Sequence, residues 1–260
     1  MSARLIVTRP AREAARWVDE LKTQGLDAVA LPLIDIVPEP PGVAQQAARV
    51  QCEGGGYHAV MFVSAQAVRG FLGPYFSEKN QPLTQDRKAL KAIESRAWVT
   101  GPGTAAAVLA AGWPPDLLDA PPADAVQFDS EALWQRIAPQ LVSAPTRNLR
   151  VLIVRGGDAQ GRLAGRHWLA EQLQAAGVAV DQAVAYRRAA PVLTGMQRTL
   201  AQAAAQDGSW WLFSSSEAVA NLQKALPAQP WQAARALATH PRIAQALRAA
   251  GFGVVQGTRP

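Results

Sequence analysis

Five short apolar runs in this chain stop at residues able to hold an anion. "LIVT" ends in Thr8 and is followed by Arg9. "MFV" leads to Ser64, Ala65 and Gln66. "WVT" leads to Gly101, Gly103 and Thr104. "LIV" leads to Arg155, Gly156 and Gly157, and "WLF" to Ser214, Ser215 and Ser216. Each turn opens into a helical pattern, and the free N–H groups and dipole of a helix N-terminus favour negative charge. Hydroxyls, glycines and two arginines in such turns suit a ligand with several carboxylates or phosphates. The same Ser and Thr residues are also ordinary helix caps. Either arginine would equally pair with a surface carboxylate. At the level of these residues both readings stand.

The stretch "VTGPGTAAAVLAAGW" (Val99 to Trp113) tests the phosphate reading. A Walker loop needs a longer loop and a lysine, and this one has neither. A dinucleotide fingerprint tolerates Ala106 in place of the third glycine, but it belongs in the first strand–helix unit with an acid about twenty residues on. Asp116 and Asp119 come too early and sit in a proline-broken stretch. A nucleotide-dependent oxidoreductase therefore ranks below other readings.

The usual catalytic groups are sparse. His58, His167 and His240 are scattered, with no obvious carboxylate partner. No Gly-x-Ser-x-Gly elbow appears. No His-x-x-x-His or cysteine pair offers a metal site, so no metal is expected. Cys52 is the single cysteine, which rules out an internal disulfide and reads as a small buried apolar residue. An enzyme built this way does not lean on a strong base, a nucleophile or a metal.

The elements that must position these turns are strand–helix units. "LIVT" reads as a strand and Pro10 suits a helix start. In "AREAARWVDELKTQG", Ala14, Trp17, Val18 and Leu21 recur at helical spacing. The pattern then repeats. "RVLIVRGG" with "AGRHWLAEQLQAAGVAV" (164–180) restates the opening. "AVMFVSAQAVRGFL" restates "WWLFSSSEAVANL". "WVTGPGTAAAVLAAGW" restates "LATHPRIAQALRAAGF", with Pro102 on Pro241, Gly112 on Gly251 and Trp113 on Phe252. Three pairs in one order argue for internal duplication. The fold class expected is α/β, with two similar parallel-sheet domains. "SEKNQPLTQDRKALKAIES" (77–95) suggests a surface helix. The prolines of 114–133 oppose regular structure until Asp129 or Ser130 caps a helix. "QGTRP" reads as a frayed tail.

Bulk numbers bound the rest. A chain of 260 residues with 49% hydrophobic and 18% charged residues is globular. A net charge of +6, with no dense basic run and no reader element, fits an anionic small molecule better than nucleic acid. The N-terminus does not read as a signal peptide and no run is long enough to span a bilayer, so a cytoplasmic protein without membrane contact is expected.

The chain resembles the uroporphyrinogen-III synthase family. The resemblance rests on "VTRP", "FVSAQAV", "VTGPGTAAAV", "VLIVRGG", "VAYRRAAP" and "LFSSSEAVANL", which occur in family order over nearly the whole chain. It implies a swap: domain one at 1–33 plus 190–260, domain two at 39–183, joined by two linker strands at 30–38 and 183–191. Tandem unswapped domains would give the same repeat. It implies a cofactor-free lyase that cyclises hydroxymethylbilane, a linear octacarboxylate tetrapyrrole, with inversion of its last ring. It also implies a monomer, with a transient contact with hydroxymethylbilane synthase. Tyr186 matches the family's tyrosine beside the linker, a phenol able to donate to the departing hydroxyl. Ser64, Thr104 and Ser214 match hydroxyls of the family's cleft. With Ala65, Gln66, Gly103 and Ser215 they read as carboxylate binders, as do Arg9 and Arg155. Two departures stand out: Val63 where the family often has Thr, and His240-Pro241-Arg242-Ile243 where it has Gly-Pro-x-Thr. They keep open a non-catalytic binding protein of the same fold for an anionic ligand.

Overall fold

The computed structural model describes residues 4–39, 56–73, 94–125, 127–143, 149–163 and 166–258. Cys52 and nearly all of the stretch expected to carry a surface helix lie outside them. In chain order the elements are β1 (Leu5–Val7), α1 (Ala11–Thr23), β2 (Ala28–Ala30), β3 (Asp35–Pro38), β4 (Ala59–Phe62) and α2 (Ala65–Leu72). Next come β5 (Arg96–Val99), α3 (Pro102–Ala110), β6 (Leu118–Asp119), α4 (Ser130–Ser143), β7 (Arg150–Gly157) and α5 (Trp168–Ala175). The chain continues with β8 (Ala179–Ala189), α6 (Gly195–Ala204), β9 (Trp210–Phe213), α7 (Ser216–Ala225), β10 (Arg235–Ala238), α8 (Pro241–Ala249) and β11 (Val254–Gly257). They form two compact units, residues 1–36 with 188–260, and residues 37–187.

The first unit holds a sheet in the order β11-β10-β9-β1-β2. Its opening strand is central: Ile6 pairs in parallel with Val29 on one side and with Trp211 on the other. Alternation along β1 buries both faces. Ile6 joins a core with Trp211, Phe213, Leu222 and Trp231, while Val7 packs with Ala14, Val18 and Ala28. A strand covered on both sides must be apolar throughout, which is why "LIV" carries no polar alternation. The buried Trp211 indole donates to the Ala204 carbonyl at 3.1 Å, so its one polar atom is satisfied.

The second unit holds a sheet in the order β3-β8-β7-β4-β5-β6. Counted from β1, the strands of the first sheet run 2-1-3-4-5. Counted from β7, with β4 to β6 following β8, the second runs the same way with β3 added at its edge. The equivalences this gives, β1 with β7, β4 with β9 and β5 with β10, are those of the sequence repeat. Its third pair carries through to detail. Gly112 and Gly251 close α3 and α8 at φ 93° and 90°, and the following Trp113 and Phe252 amides donate back to Val108 and Leu247. The segments expected as linker strands, 30–38 and 183–191, contain β3 and most of β8, which are neighbours at the edge of the six-stranded sheet.

Four expectations are corrected. The proline-rich stretch is not irregular up to Ser130: Pro115–Leu117 makes a short turn of helix, and β6 then pairs with β5, Trp98 opposite Asp119. The tail is not frayed at Gln256 and Gly257, which pair with Leu237 and Ala238. The helix read from Ala164 begins at Trp168. Arg155 does not lie in a turn but inside β7, which runs on through Gly157. At the start of α4 the cap is Asp129, whose Oδ1 accepts the Ala132 amide at 2.9 Å.

Asp119 explains why β6 forms. Its side chain is 1% exposed. Oδ2 accepts from Arg96 Nε at 2.5 Å and from Trp98 Nε1 at 3.1 Å, and Oδ1 accepts from Arg96 Nη2 at 3.0 Å and Gln140 Nε2 at 3.1 Å. Burial pushes the carboxyl up, but the hydrogen bonds from Arg96, Gln140 and Trp98 and the charge of Arg96 outweigh it, so the group sits below the ordinary carboxylate value.

β8 is irregular where it matters most. Arg155 faces Val184 but Gly156 faces Tyr186, so Ala185 bulges out of register with β7. The displaced Ala185 carbonyl lies against Cα of Gly70 on α2. A Cβ on Gly156 would meet Tyr186 Cζ at 2.6 Å. Two glycines without side chains thus admit the bulge and the tyrosine that follows it.

Replacing Asp119 by Ala strands a buried indole N–H and frees Arg96, and is expected to cost about 3 kcal/mol in urea unfolding at neutral pH. A carboxyl whose folded value is depressed stabilises above its unfolded value and loses that contribution as pH falls through the folded one. The gap between wild type and Asp119→Asn should therefore be constant from pH 7 to about 5 and narrow steadily below about 4. Gly70→Ala, which meets main chain, is expected to destabilise by about 3 kcal/mol, and Gly156→Ala, which meets a ring, by about half that, read by the same unfolding curves.

Candidate active site

In doubly wound sheets of this order, ligands bind beyond the carboxyl ends of the strands, where the strand order reverses. That point lies between β1 and β9 in the first unit and between β7 and β4 in the second. Each unit is built from its own residues.

In the second unit, β4 delivers the chain to Ser64, which takes extended backbone and caps α2. Its Oγ accepts the Ala67 amide at 3.2 Å. Ala65 and Gln66 form the first turn behind it. From β8 the Tyr186 ring, 7% exposed, reaches the same place, with Oη 3.2 Å from Ser64 Oγ. Either hydroxyl is able to donate in that pair. Gly156 on β7 lies under the ring. The structure therefore joins Ser64, Gly156 and Tyr186, which are far apart in sequence, around one pair of hydroxyls.

The neighbouring turn after β5 has a different character. Gly101 is the N-cap of α3 and brings no side chain to its amides. Gly103 is exposed in the first turn, whereas the Thr104 side chain is buried. Arg155 is buried too, at 5% exposure. Its Nη1 donates to Gln182 Oε1 and its Nη2 to the Arg166 carbonyl, both at 3.1 Å. These acceptors are neutral, and through them the guanidinium braces β8 and the approach to α5.

In the first unit, Thr8 is buried and its hydroxyl donates to the Leu212 carbonyl at 2.8 Å, tying β1 to β9. Arg9 follows in the turn, its guanidinium 4.5 Å from the centroid of the Trp17 ring. Burial holds it below its ordinary value, with Glu13 raising it and Arg16 lowering it further, and its Nε is buried without a hydrogen-bond partner. After β9, Ser215 caps α7 by accepting the Glu217 amide at 3.2 Å. Structurally Ser215 is the equivalent of Ser64, and Ser214 that of Val63. The hydroxyl missing from one unit is present in the other.

The departure at 240–243 has a physical account. His240 is the cap of α8, its Nδ1 accepting the Arg242 amide at 3.1 Å, with Pro241 in the first helical position. That acceptor role places the proton of the neutral ring on Nε2. Ile243 is 6% exposed in the apolar core, so a threonine hydroxyl there would need a buried partner. His58 stands edge-on to Trp98 at 6.1 Å and is held below its ordinary value, chiefly by burial and then by Arg96, against the pull of Asp119. Sequence reasoning missed Asp119, Gly70 and the capping role of His240. The His-Pro pair ahead of an apolar-periodic run was the usable signal for the last. Among the described residues no three His, Cys, Asp or Glu side chains gather as a metal site, and no helix is long and apolar enough to cross a membrane.

Residues 15–260 match the family model of uroporphyrinogen-III synthase HemD. Among solved structures, a mutant uroporphyrinogen III synthase from Thermus thermophilus is similar at TM-score 0.54 and 17% identity, covering 100% of this chain and 94% of that one. Uroporphyrinogen-III synthetase from Helicobacter pylori is similar at TM-score 0.53 and 17% identity, covering 98% and 92%. At that identity the two structures speak for the fold alone. The family match spans nearly the whole chain: this protein belongs to the uroporphyrinogen-III synthase family.

Proposed function

We propose that the protein is a cofactor-free lyase that closes hydroxymethylbilane to uroporphyrinogen III, with loss of water and inversion of the last ring. The observation that carries the reading beyond family membership is the Tyr186–Ser64 hydroxyl pair at the reversal point of the second sheet. The chemistry asks little of a catalyst. An electron-rich pyrrole expels its own hydroxyl, leaving an azafulvene cation. Attack of that cation at the substituted carbon of the last ring gives a spiro intermediate, which fragments and recloses through the ring's free carbon, and the hydrogen lost from that carbon balances the proton given to the departing hydroxyl. A phenol donating to the departing oxygen makes it a better leaving group, and Tyr186 is the residue we assign to that step. Holding the chain coiled and keeping water from the cation supplies the rest.

Each unit, taken by itself, offers partners to substrate carboxylates. In the second unit these are the first turns of α2 and α3, at Ala65, Gln66, Gly103 and Thr104. In the first unit they are Ser214, Ser215 and Arg9. A desolvated guanidinium with an unsatisfied N–H is stabilised by an incoming carboxylate, which makes Arg9 the strongest of them. Arg155 donates to neutral acceptors and serves binding by fixing β8 under Tyr186. Transient delivery of the unstable substrate by hydroxymethylbilane synthase, and action as a monomer, complete the reading.

The decisive assay feeds fresh hydroxymethylbilane to the purified protein, oxidises the product and separates type I from type III uroporphyrin. Predominantly type III is expected. Type I alone, at the spontaneous rate, would leave a binding protein for an anionic ligand. Tyr186→Phe should lower kcat by about 100-fold with substrate binding retained. Arg9→Ala should raise KM by about tenfold and change kcat less than about twofold.

A further inference from the structure

We infer that Ser64 is a positioning residue for the Tyr186 proton, linking the phenol to the N-terminus of α2. The inference rests on the lyase reading above and adds a role to Ser64 other than contact with substrate carboxylates.

Ser64 Oγ has one proton and two lone pairs. One lone pair is taken by the Ala67 amide of the α2 first turn at 3.2 Å. Tyr186 Oη lies 3.2 Å from the same oxygen, and Ser64 is the hydrogen-bond partner the structure gives that phenol among the described residues. Two arrangements satisfy the pair. In one the phenol donates to Ser64, and the serine proton has no partner among these groups. In the other Ser64 donates to the phenol oxygen, and the phenolic proton points away from the pair. An acceptor oxygen arriving on the tyrosine selects the second.

That second arrangement suits leaving-group departure. As the phenolic O–H is drawn toward the departing hydroxyl, negative charge gathers on Oη. The Ser64 hydroxyl donates to that oxygen, and its own oxygen is already polarised by an amide at the positive end of α2. No proton is lost or created by the serine, since it only rotates its O–H. The ring itself has little freedom. The bulge at Ala185 sets its backbone, and Gly156 receives its edge so closely that a Cβ there would lie 2.7 Å from Cε2. What remains adjustable is the pair of hydroxyl rotors.

A double-mutant cycle separates this role from the alternatives. Steady-state formation of type III product is measured for wild type, Ser64→Ala, Ser64→Thr, Tyr186→Phe and Ser64→Ala/Tyr186→Phe, with circular dichroism checking each fold. Ser64→Ala should lower kcat by about tenfold and move KM by less than about twofold. Ser64→Thr, which keeps the hydroxyl and the cap, should stay within about threefold of wild type. In the Tyr186→Phe background, Ser64→Ala should change kcat by less than about twofold, because the relay has already lost its end. An equal fall in both backgrounds would overturn the inference and leave Ser64 as a helix cap. A rise in KM in both would overturn it in favour of carboxylate binding. Wild-type protein that forms no type III product would overturn the lyase reading, and this inference with it.

Discussion

One displaced carbonyl organises the second unit. Ala185 is squeezed out of register with β7, and its oxygen rests where only the bare Cα of Gly70 gives it room. The consequences run outward from that contact. The strand resumes half a pleat later, so Tyr186 faces Gly156 and its hydroxyl meets Ser64. The helix pressed against the carbonyl is the one that Ser64 caps. The bulge, the phenol and the capping serine are therefore a single mechanical assembly. Arg155, the β7 residue before the slip, donates to Gln182 of β8, the strand that bulges.

In each unit the buried indoles have hydrogen-bond partners. Trp98, Trp113 and Trp211 are fully buried, and each indole N–H finds an acceptor: the Asp119 carboxylate, the Ser95 carbonyl and the Ala204 carbonyl. Asp119 is the costliest of these groups to bury. It is tolerated because four donors converge on its two oxygens, and it turns a proline-rich stretch into the last strand of the sheet. Arg9 is the counter-case, a cation stacked on Trp17 with an N–H left over. Asp119 is saturated from within the fold, whereas Arg9 is not, and that difference separates a structural charge from one suited to a ligand.

Much of this was legible in the sequence because it is periodic or local. The apolar triplets ahead of Thr8, Ser64 and Ser214 signal strands buried on both faces, and the serine turns signal caps. The glycines at 112 and 251 signal helix ends. The paired segments gave the repeat, and the parallel α/β class followed. What stayed hidden depends on contacts distant in sequence. Nothing near Arg155 says that β7 continues through two glycines, because glycine usually ends a strand; the reason is a ring from β8. Nothing near Asp119 says that an aspartate among prolines will be buried, because its donors come from β5 and α4. The Tyr186–Ser64 contact joins residues 122 positions apart. The resemblance pointed to both residues but not to their meeting.

The matching strand orders have a consequence for synthesis. Residues of the second unit are contiguous, so its sheet can be completed from a single uninterrupted stretch of nascent chain. The first unit is different. β1 meets β2 early and waits until Trp211 has been made before its other edge is covered. For that whole interval a strand destined for the centre of a sheet carries an open, apolar edge of the kind that invites pairing with other chains. Its brevity, three residues between Arg4 and the Thr8–Arg9 turn, limits what such an edge can capture while the rest of the polypeptide is being built.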